Sequence, residues 1–114
     1  MRLLRRLGPG PVAEILFTAK ILTAEEARSY GVLQQLYPAD SFEAEAAAYV
    51  GLIAENAPLT LAAVKRTLLD WDLPETERNP EAVAAMVATC YASADYQEGQ
   101  AAFKAKRTPV FTGH

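Results

Sequence analysis

Histidine and cysteine are almost missing from this sequence, and their scarcity excludes several kinds of active site. The single histidine is the last residue, His114, and the single cysteine is Cys90. A Ser-His-Asp triad, a histidine-bound metal or a cysteine-based metal cluster therefore cannot be assembled from these residues. The sequence accordingly predicts no metal site. Cys90 lies at helical spacing with Met86 and Val87, which predicts a buried small side chain.

Glycine-rich phosphate loops and long apolar runs are also lacking. Gly8 and Gly10 alternate with prolines and have neither the spacing nor the lysine of a P-loop. No apolar run approaches the roughly 20 residues that a membrane-spanning helix needs, so we expect no membrane partner. The arginine-rich start, RLLRRL, is typical of a transit peptide, but the glycines and prolines of 8–11 interrupt it. We therefore predict a cytoplasmic protein.

Charge of one sign does not dominate, and its distribution argues against a nucleic-acid partner. The formal net charge is -3 at pH 7. Basic side chains concentrate near the two ends of the chain, and the middle is acidic; the basic groups are Arg2, Arg5, Arg6 and Lys20 at one end and Lys104, Lys106 and Arg107 at the other. A basic patch on an acidic body suits a local anion site better than a broad nucleic-acid surface.

The composition that is present is typical of one helical domain. The 114 residues are 51% hydrophobic and 22% charged, which suits a single globular domain over residues 1–114. Apolar spacing and cap residues predict an all-α fold of about five to six helices and at most one short strand. A capping box at Thr23 and Glu26, a start at Asn79 and a cap at Ser93 mark three helix beginnings. The predicted helices end near residues 19, 30, 57, 71, 92 and 106. A turn is predicted at 8–11, with Pro11 or Pro9 opening the first helix, and a loop at 72–78.

The one strand candidate is the segment 32–37, which follows a helix-ending glycine, Gly31, and precedes Pro38. A lone strand cannot satisfy its own backbone donors and acceptors, and no second strand candidate exists in the sequence. Two alternatives follow. The segment is irregular, or its partner strand lies in another chain or in a missing part.

The segment 93–111 carries the clearest candidate for a binding site. Lys104, Lys106 and Arg107 lie beside Phe103, and lysines bind phosphate as point charges while an aromatic ring lies against a flat base. The competing interpretation is a solvated last helical turn, whose cations favour the negative helix end. Glu98 is the least explained acid, and we favour a structural role for it. Spacing alone indicates no catalytic residue.

Three pieces of the sequence resemble the enoyl-CoA hydratase/isomerase (crotonase) family, in the family's order. They are LLRRLGPGPVAEILFTAKILTAEEARSYGVLQQLYPAD, then AENAPLTLAAVKRTL, then SADYQEGQAAFKAKRTPVFTG. Each piece is moderately specific, and together they cover more than ~100 residues in register. The resemblance implies the C-terminal portion of the family's fold, a helical region that packs subunits into trimers and often hexamers.

The resemblance also implies a ligand and its contacts. Family members act on acyl-CoA thioesters, with no tightly bound cofactor, and the last helix helps to hold the CoA of a neighbouring subunit. Carried over by position, Lys106 faces the CoA phosphate and Phe103 shapes the same wall. The helix over 12–18 and its following loop border the acyl end of the pocket.

The sequence departs from the family in one residue and in its extent. The family usually has glycine where this chain has Ala19. In the family, the segments that supply the oxyanion hole and the catalytic glutamates precede the part matched here, so the resemblance implies that the catalytic β/α core is absent. We therefore expect the chain to be inactive by itself. The alternatives are a non-catalytic helical oligomerisation module and, less favoured, a free-standing acyl-CoA-binding module.

Overall fold

All regular secondary structure in the described residues, 2–114, is helical in the computed structural model. The elements are α1 (Arg2–Leu7), α2 (Pro9–Thr18), α3 (Ala24–Ser29), α4 (Phe42–Ala54), α5 (Pro58–Trp71), a 3-10 turn (Glu75–Glu77), α6 (Pro80–Ala92) and α7 (Ala94–Ala105). The all-α prediction is confirmed. The helix that the sequence analysis did not foresee is α1, at the arginine-rich start.

The chain divides into two compact units, one that ends at Ala46 and one over Ala47–His114. In the first unit, α1 packs against α2, and Gly8 is the one residue between them. Gly8 has φ 77°, a left-handed value that suits glycine, and Pro9 begins α2 with its preset φ. The predicted turn is shorter than 8–11, because α2 already begins at Pro9, the earlier of the two prolines predicted to open it.

Helix α3 begins with the capping box that the sequence predicts. The Thr23 hydroxyl accepts from the Glu26 backbone N–H at 3.1 Å, and the Glu26 carboxylate accepts from the Thr23 N–H at 2.9 Å. Both donors would otherwise lack an intrahelical partner. The chain leaves this helix through Gly31, whose φ is 79°.

Ala19 ends α2 in a left-handed conformation, with φ 50° and ψ 26°. A side chain at such a φ brings Cβ close to the following carbonyl oxygen, at a cost of roughly 1–2 kcal/mol. Glycine avoids this contact because it has no Cβ. The departure from the family's usual glycine therefore falls on a residue where the backbone favours glycine.

The segment 32–37 forms no strand among the described residues. It continues from α3 through a tight turn, in which the Val32 and Leu33 N–H groups both donate to the Ala27 carbonyl. These bonds use local acceptors instead of a neighbouring strand. The segment is irregular in this chain, which agrees with both alternatives stated above, since residues 2–114 contain no partner strand.

In the unit Ala47–His114, α5 packs against α6 and α6 contacts α7. The predicted cap at Asn79 is confirmed, because its side chain accepts from the Ala82 N–H at 2.9 Å. The Asp70 carboxylate, 7% exposed, accepts from the Asn79 N–H at 2.9 Å. This bond joins the end of α5 to the start of α6 across the loop.

Few apolar side chains are buried within residues 3–114. The buried apolar residues are Val12, Ala63 and Ala102, all small. Large apolar side chains remain exposed along the helices of the second unit, among them Val50, Leu52, Leu68, Leu69, Trp71 and Tyr91. Soluble monomers rarely expose contiguous apolar patches larger than a few hundred Å².

No single helix within residues 2–114 is long and apolar enough to cross a membrane. One pair, α4 and α5, reaches that length and composition only together, and the pair is bent by 99°.

Candidate functional site

The candidate site is built on α7 and on the residues that follow it. Ser93 begins the helix by accepting the Tyr96 N–H at 3.1 Å, as the sequence predicts. Asp95, Glu98, Gly99 and Ala102 then recur at steps of three, one and three, which places them along one side of the helix. The residues 107–114, which we call the C-terminal strap, are bonded to this side.

Glu98 holds the beginning of the C-terminal strap. Its two carboxylate oxygens accept from the Arg107 guanidinium at 2.5 and 2.8 Å, a bidentate pair, and one of them also accepts the Val110 N–H at 2.9 Å. The Arg107 guanidinium and the Val110 N–H lower the pKa of Glu98 to about 2. The structural role favoured for this acid is therefore confirmed, and Arg107 is paired and not simply solvated.

Asp95 holds the end of the C-terminal strap. One carboxylate oxygen accepts the Thr112 N–H at 2.7 Å and the other accepts the Gly113 N–H at 2.8 Å. The Asp95 N–H donates to the His114 carbonyl at 3.1 Å. These backbone donors, the Thr112 N–H first, lower the pKa of Asp95 although the side chain is only 2% exposed.

The C-terminal strap closes one side of an apolar groove. Phe111 lies against Gly99, where an added Cβ would meet the ring at 3.7 Å. The groove encloses about 560 Å³. Its lining comes from α5, α6, α7 and the strap, and includes Val64, Val87, Tyr91, Tyr96, Phe103 and Phe111. Cys90 also lines it and is half-buried, so the prediction of a buried cysteine is wrong.

The two residues predicted to contact CoA lie at the end of α7. Phe103 lines the groove with 86% of its surface exposed. Lys106 follows the helix with φ 53° and ψ 40°, a left-handed conformation. Neither Lys104 nor Lys106 forms an ion pair with any residue of the described chain. An aromatic face and two unpaired ammonium groups are thus available to an anionic ligand.

Sequence reasoning missed Asp95 and the tyrosines of the groove. Asp95 lies in the first turn of α7, where an acid interacts favourably with the helix dipole. Its presence there therefore gave no reason to expect another role. Its partners are 17 and 18 residues away, so no local spacing reveals them. Tyr91 and Tyr96 meet edge to face with ring centroids 5.1 Å apart, across the break between α6 and α7.

A second charged cluster lies in the unit that ends at Ala46. The Lys20 ammonium is 3.1 Å from the Glu26 carboxylate, 3.5 Å from the Glu14 carboxylate and 5.6 Å from the centre of the Tyr30 ring. The hydrogen bond from Lys20, after that of the Thr23 N–H, lowers the pKa of Glu26. Each ionised group has an opposite charge, so the cluster fixes the start of α3. The described residues contain no group of three or more metal-ligating side chains.

Comparison with known proteins assigns the whole chain to one family. The family model for enoyl-CoA hydratase/isomerase matches residues 1–114. The chain belongs to this family. The resemblance read from the three sequence pieces is thereby confirmed at the level of the family.

Members of the enoyl-CoA hydratase/isomerase family that resemble this chain are more than twice as long. A methylmalonyl-CoA decarboxylase from Escherichia coli K12 is 35% identical over 98% of this chain and 44% of its own length. A crystal structure of an enoyl-CoA hydratase/carnithine racemase from Magnetospirillum magneticum matches with a TM-score of 0.75 and 34% identity, over 99% of this chain and 42% of its own. An enoyl-CoA hydratase from Bacillus anthracis matches with a TM-score of 0.76 and 27% identity, over 100% and 44%. The helical arrangement is therefore that of family members.

The attachment of the C-terminal strap generates a prediction about pH. A carboxyl whose pKa is lower folded than unfolded stabilises the fold above the unfolded pKa, and this stabilisation is lost as pH falls through the folded pKa. For Glu98 the window runs from the ordinary 4.5 down to about 2. We expect Glu98→Gln to lower the free energy of unfolding at neutral pH, and the deficit relative to the wild type to shrink below about pH 4.

Urea denaturation followed by circular dichroism, at several pH values, measures this difference. Glu81→Gln is the matched control, since Glu81 is an exposed acid at the start of α6. A deficit in Glu98→Gln that is independent of pH down to about 2 would contradict the assignment.

Proposed function

We propose that this chain is the C-terminal assembly and CoA-contacting region of an enoyl-CoA hydratase/isomerase family protein that acts on acyl-CoA thioesters. The observation that carries the proposal is the match of the entire chain to the family, together with a coverage of only about 44% of its relatives. Its all-helical content agrees with a helical region that serves a larger protein. Residues 1–114 act in this proposal as one helical region, although each of its two units is compact by itself.

The proposed contact with CoA uses Lys106 and Phe103. Lys106 keeps a side chain in a left-handed conformation that glycine adopts more readily, and such strain is commonly retained where the side chain has a task. Its ammonium has no acidic partner in the described chain, as a phosphate-binding group requires. The exposed ring of Phe103, three residues earlier, offers an apolar face to a flat base.

The proposed assembly uses the exposed apolar side chains of α4, α5 and α6. A soluble monomer rarely exposes contiguous apolar patches larger than a few hundred Å². Val50 and Leu52 on α4 and Leu68 and Leu69 on α5 are each more than half exposed. We propose that they are covered in a homo-oligomer, a trimer or hexamer, and by the remainder of the family's fold.

We further propose that the chain does not catalyse a reaction by itself. A carboxyl that acts as a general acid near neutral pH needs a raised pKa. The resolved shifts of carboxyl pKa in the described residues, at Glu26, Asp95 and Glu98, are all downward. These groups stay ionised and bonded to backbone or cation. The similar full-length proteins are named as a decarboxylase and as a hydratase/racemase, and all of these names refer to reactions of larger chains.

The second candidate is a non-catalytic helical module that oligomerises or binds acyl-CoA. The apolar groove favours it, because about 560 Å³ is within the range of small-molecule sites. The two candidates differ in whether activity appears when the rest of the family's fold is supplied.

At Lys106, two substitutions are expected to lose the same CoA affinity but to differ in stability. Lys106→Ala and Lys106→Gly both remove the ammonium and are expected to weaken CoA binding about five- to tenfold. Lys106→Gly also relieves the left-handed strain, so its free energy of unfolding is expected to exceed that of Lys106→Ala by about 1 kcal/mol. Calorimetry with CoA and urea denaturation measure the two quantities. An unchanged affinity in both variants would return Lys106 to a solvated helix end.

The proposed inactivity predicts no hydration of crotonyl-CoA by the purified 114-residue chain. The physical reason is that the described carboxyls with a shifted pKa, those of Glu26, Asp95 and Glu98, are all shifted downward and so stay ionised. Loss of the enoyl absorbance measures the reaction. Turnover that a single Glu→Gln substitution within this chain abolishes would contradict the proposal.

The proposed assembly predicts self-association in solution. Sedimentation equilibrium at micromolar concentration is expected to give a mass above the 12.4 kDa of one chain. Leu68→Asp, which places a charge on the exposed face of α5, is expected to shift the distribution toward the monomer. A monodisperse wild-type monomer would argue against an assembly role.

A further inference from the structure

We infer that Glu98, acting through Arg107, is a positioning residue that holds Lys106 in its left-handed conformation and so aims its ammonium at an anionic ligand. The inference rests on the proposed CoA contact and names a second residue for the same site. Glu98 lies eight residues before Lys106 and two turns back along α7, so sequence proximity does not connect them.

The backbone around Lys106 is the first step of the argument. The Arg107 N–H donates to the Ala102 carbonyl at 3.0 Å, and the Lys106 N–H donates to the Phe103 carbonyl at 3.2 Å. These two bonds form a Schellman motif, in which the left-handed residue is usually glycine. Because Lys106 carries a side chain there, the motif needs support beyond its own hydrogen bonds.

That support comes from the residue that follows immediately. The Arg107 guanidinium is held by both oxygens of Glu98, and the same carboxylate takes the Val110 N–H at 2.9 Å. After Lys106, the chain is fixed at Arg107 and Val110 by their bonds to Glu98. Before Lys106, it is fixed by α7. A negative φ at Lys106 would turn the C-terminal strap away from α7 and break these bonds.

The consequence for binding follows from geometry. The direction of the Cα–Cβ bond depends on the backbone dihedrals, so a change of φ at Lys106 redirects the whole side chain and moves its ammonium. Lys104, two residues earlier within α7, does not depend on the strap in this way. Glu98 is therefore expected to influence CoA binding without touching CoA.

The test is a double-mutant cycle on CoA binding, measured by calorimetry with the full chain. Glu98→Gln alone is expected to weaken binding about fivefold, less than or equal to the effect of Lys106→Ala. The combined variant is expected to bind within about twofold of Lys106→Ala alone, because Glu98 acts only through that lysine. Independent, additive losses in the combined variant would overturn the inference.

Two further variants control the test. Glu81→Gln removes an equal negative charge at an exposed helix start, and its CoA affinity is expected to match the wild type within about twofold. Arg107→Lys keeps the positive charge but loses the bidentate fork, so it is expected to weaken binding like Glu98→Gln. Arg107→Lys also replaces Glu98→Gln as the test variant if Glu98→Gln does not fold. A wild-type affinity in a folded Arg107→Lys would count against the inference.

A readout that does not need CoA separates this inference from the proposed function. The backbone carbon chemical shifts of Lys106 are expected to report a left-handed residue in the wild type and a shift toward negative φ in Glu98→Gln. If CoA does not bind the wild type, or Lys106→Ala binds equally well, the proposed function fails and the shifts still decide the positioning role. If Lys106→Ala weakens binding while Glu98→Gln changes neither affinity nor shifts, the inference alone fails.

Discussion

The residues after α7 depend on two carboxylates that accept hydrogen bonds from a segment with no helix of its own. Asp95 and Glu98 lie one turn apart and take three backbone N–H groups and one guanidinium between them. Beyond Arg107 the C-terminal strap is extended, so its backbone N–H groups there have no helical acceptors. An ionised carboxylate is a strong acceptor for such groups. Because the C-terminal strap is held in this way, Phe111 lies against Gly99 and the groove has a closed side.

The helices were predictable where a cap residue and an apolar stripe coincide. Thr23, Asn79 and Ser93 each cap the helix that the sequence assigns to them, since their side-chain oxygens reach the third residue onward. No strand forms over 32–37 in this chain, because alternating apolar residues describe a pattern of burial, and pairing needs a partner that local sequence cannot supply. Helix α1 was missed because the arginine-rich start was tested only as a transit peptide, which was rejected, and no helix was assigned to it.

The candidate site was predictable only in part. Residues that are neighbours in the sequence were identified, whereas contacts between distant residues were not. Phe103 and Lys106 drew attention because aromatic and basic residues adjoin each other, whereas the ligand they were assigned came from resemblance. The left-handed φ of Lys106 has no signature in the sequence, since lysine is not a residue that favours it. Asp95 and its backbone donors are far apart in sequence, so they meet only when the C-terminal strap packs against α7.

The stacking of Arg78 on Trp71 has a consequence for spectroscopy. The guanidinium carbon lies 4.8 Å from the centre of the indole ring, and Trp71, the single tryptophan, is 73% exposed at the end of α5. Trp71 does not line the groove, whereas Tyr91 and Tyr96 do. Indole emission therefore reports the loop between α5 and α6. Detachment of the C-terminal strap from α7 is not expected to change this emission. The intrinsic fluorophores that sense the groove are phenols.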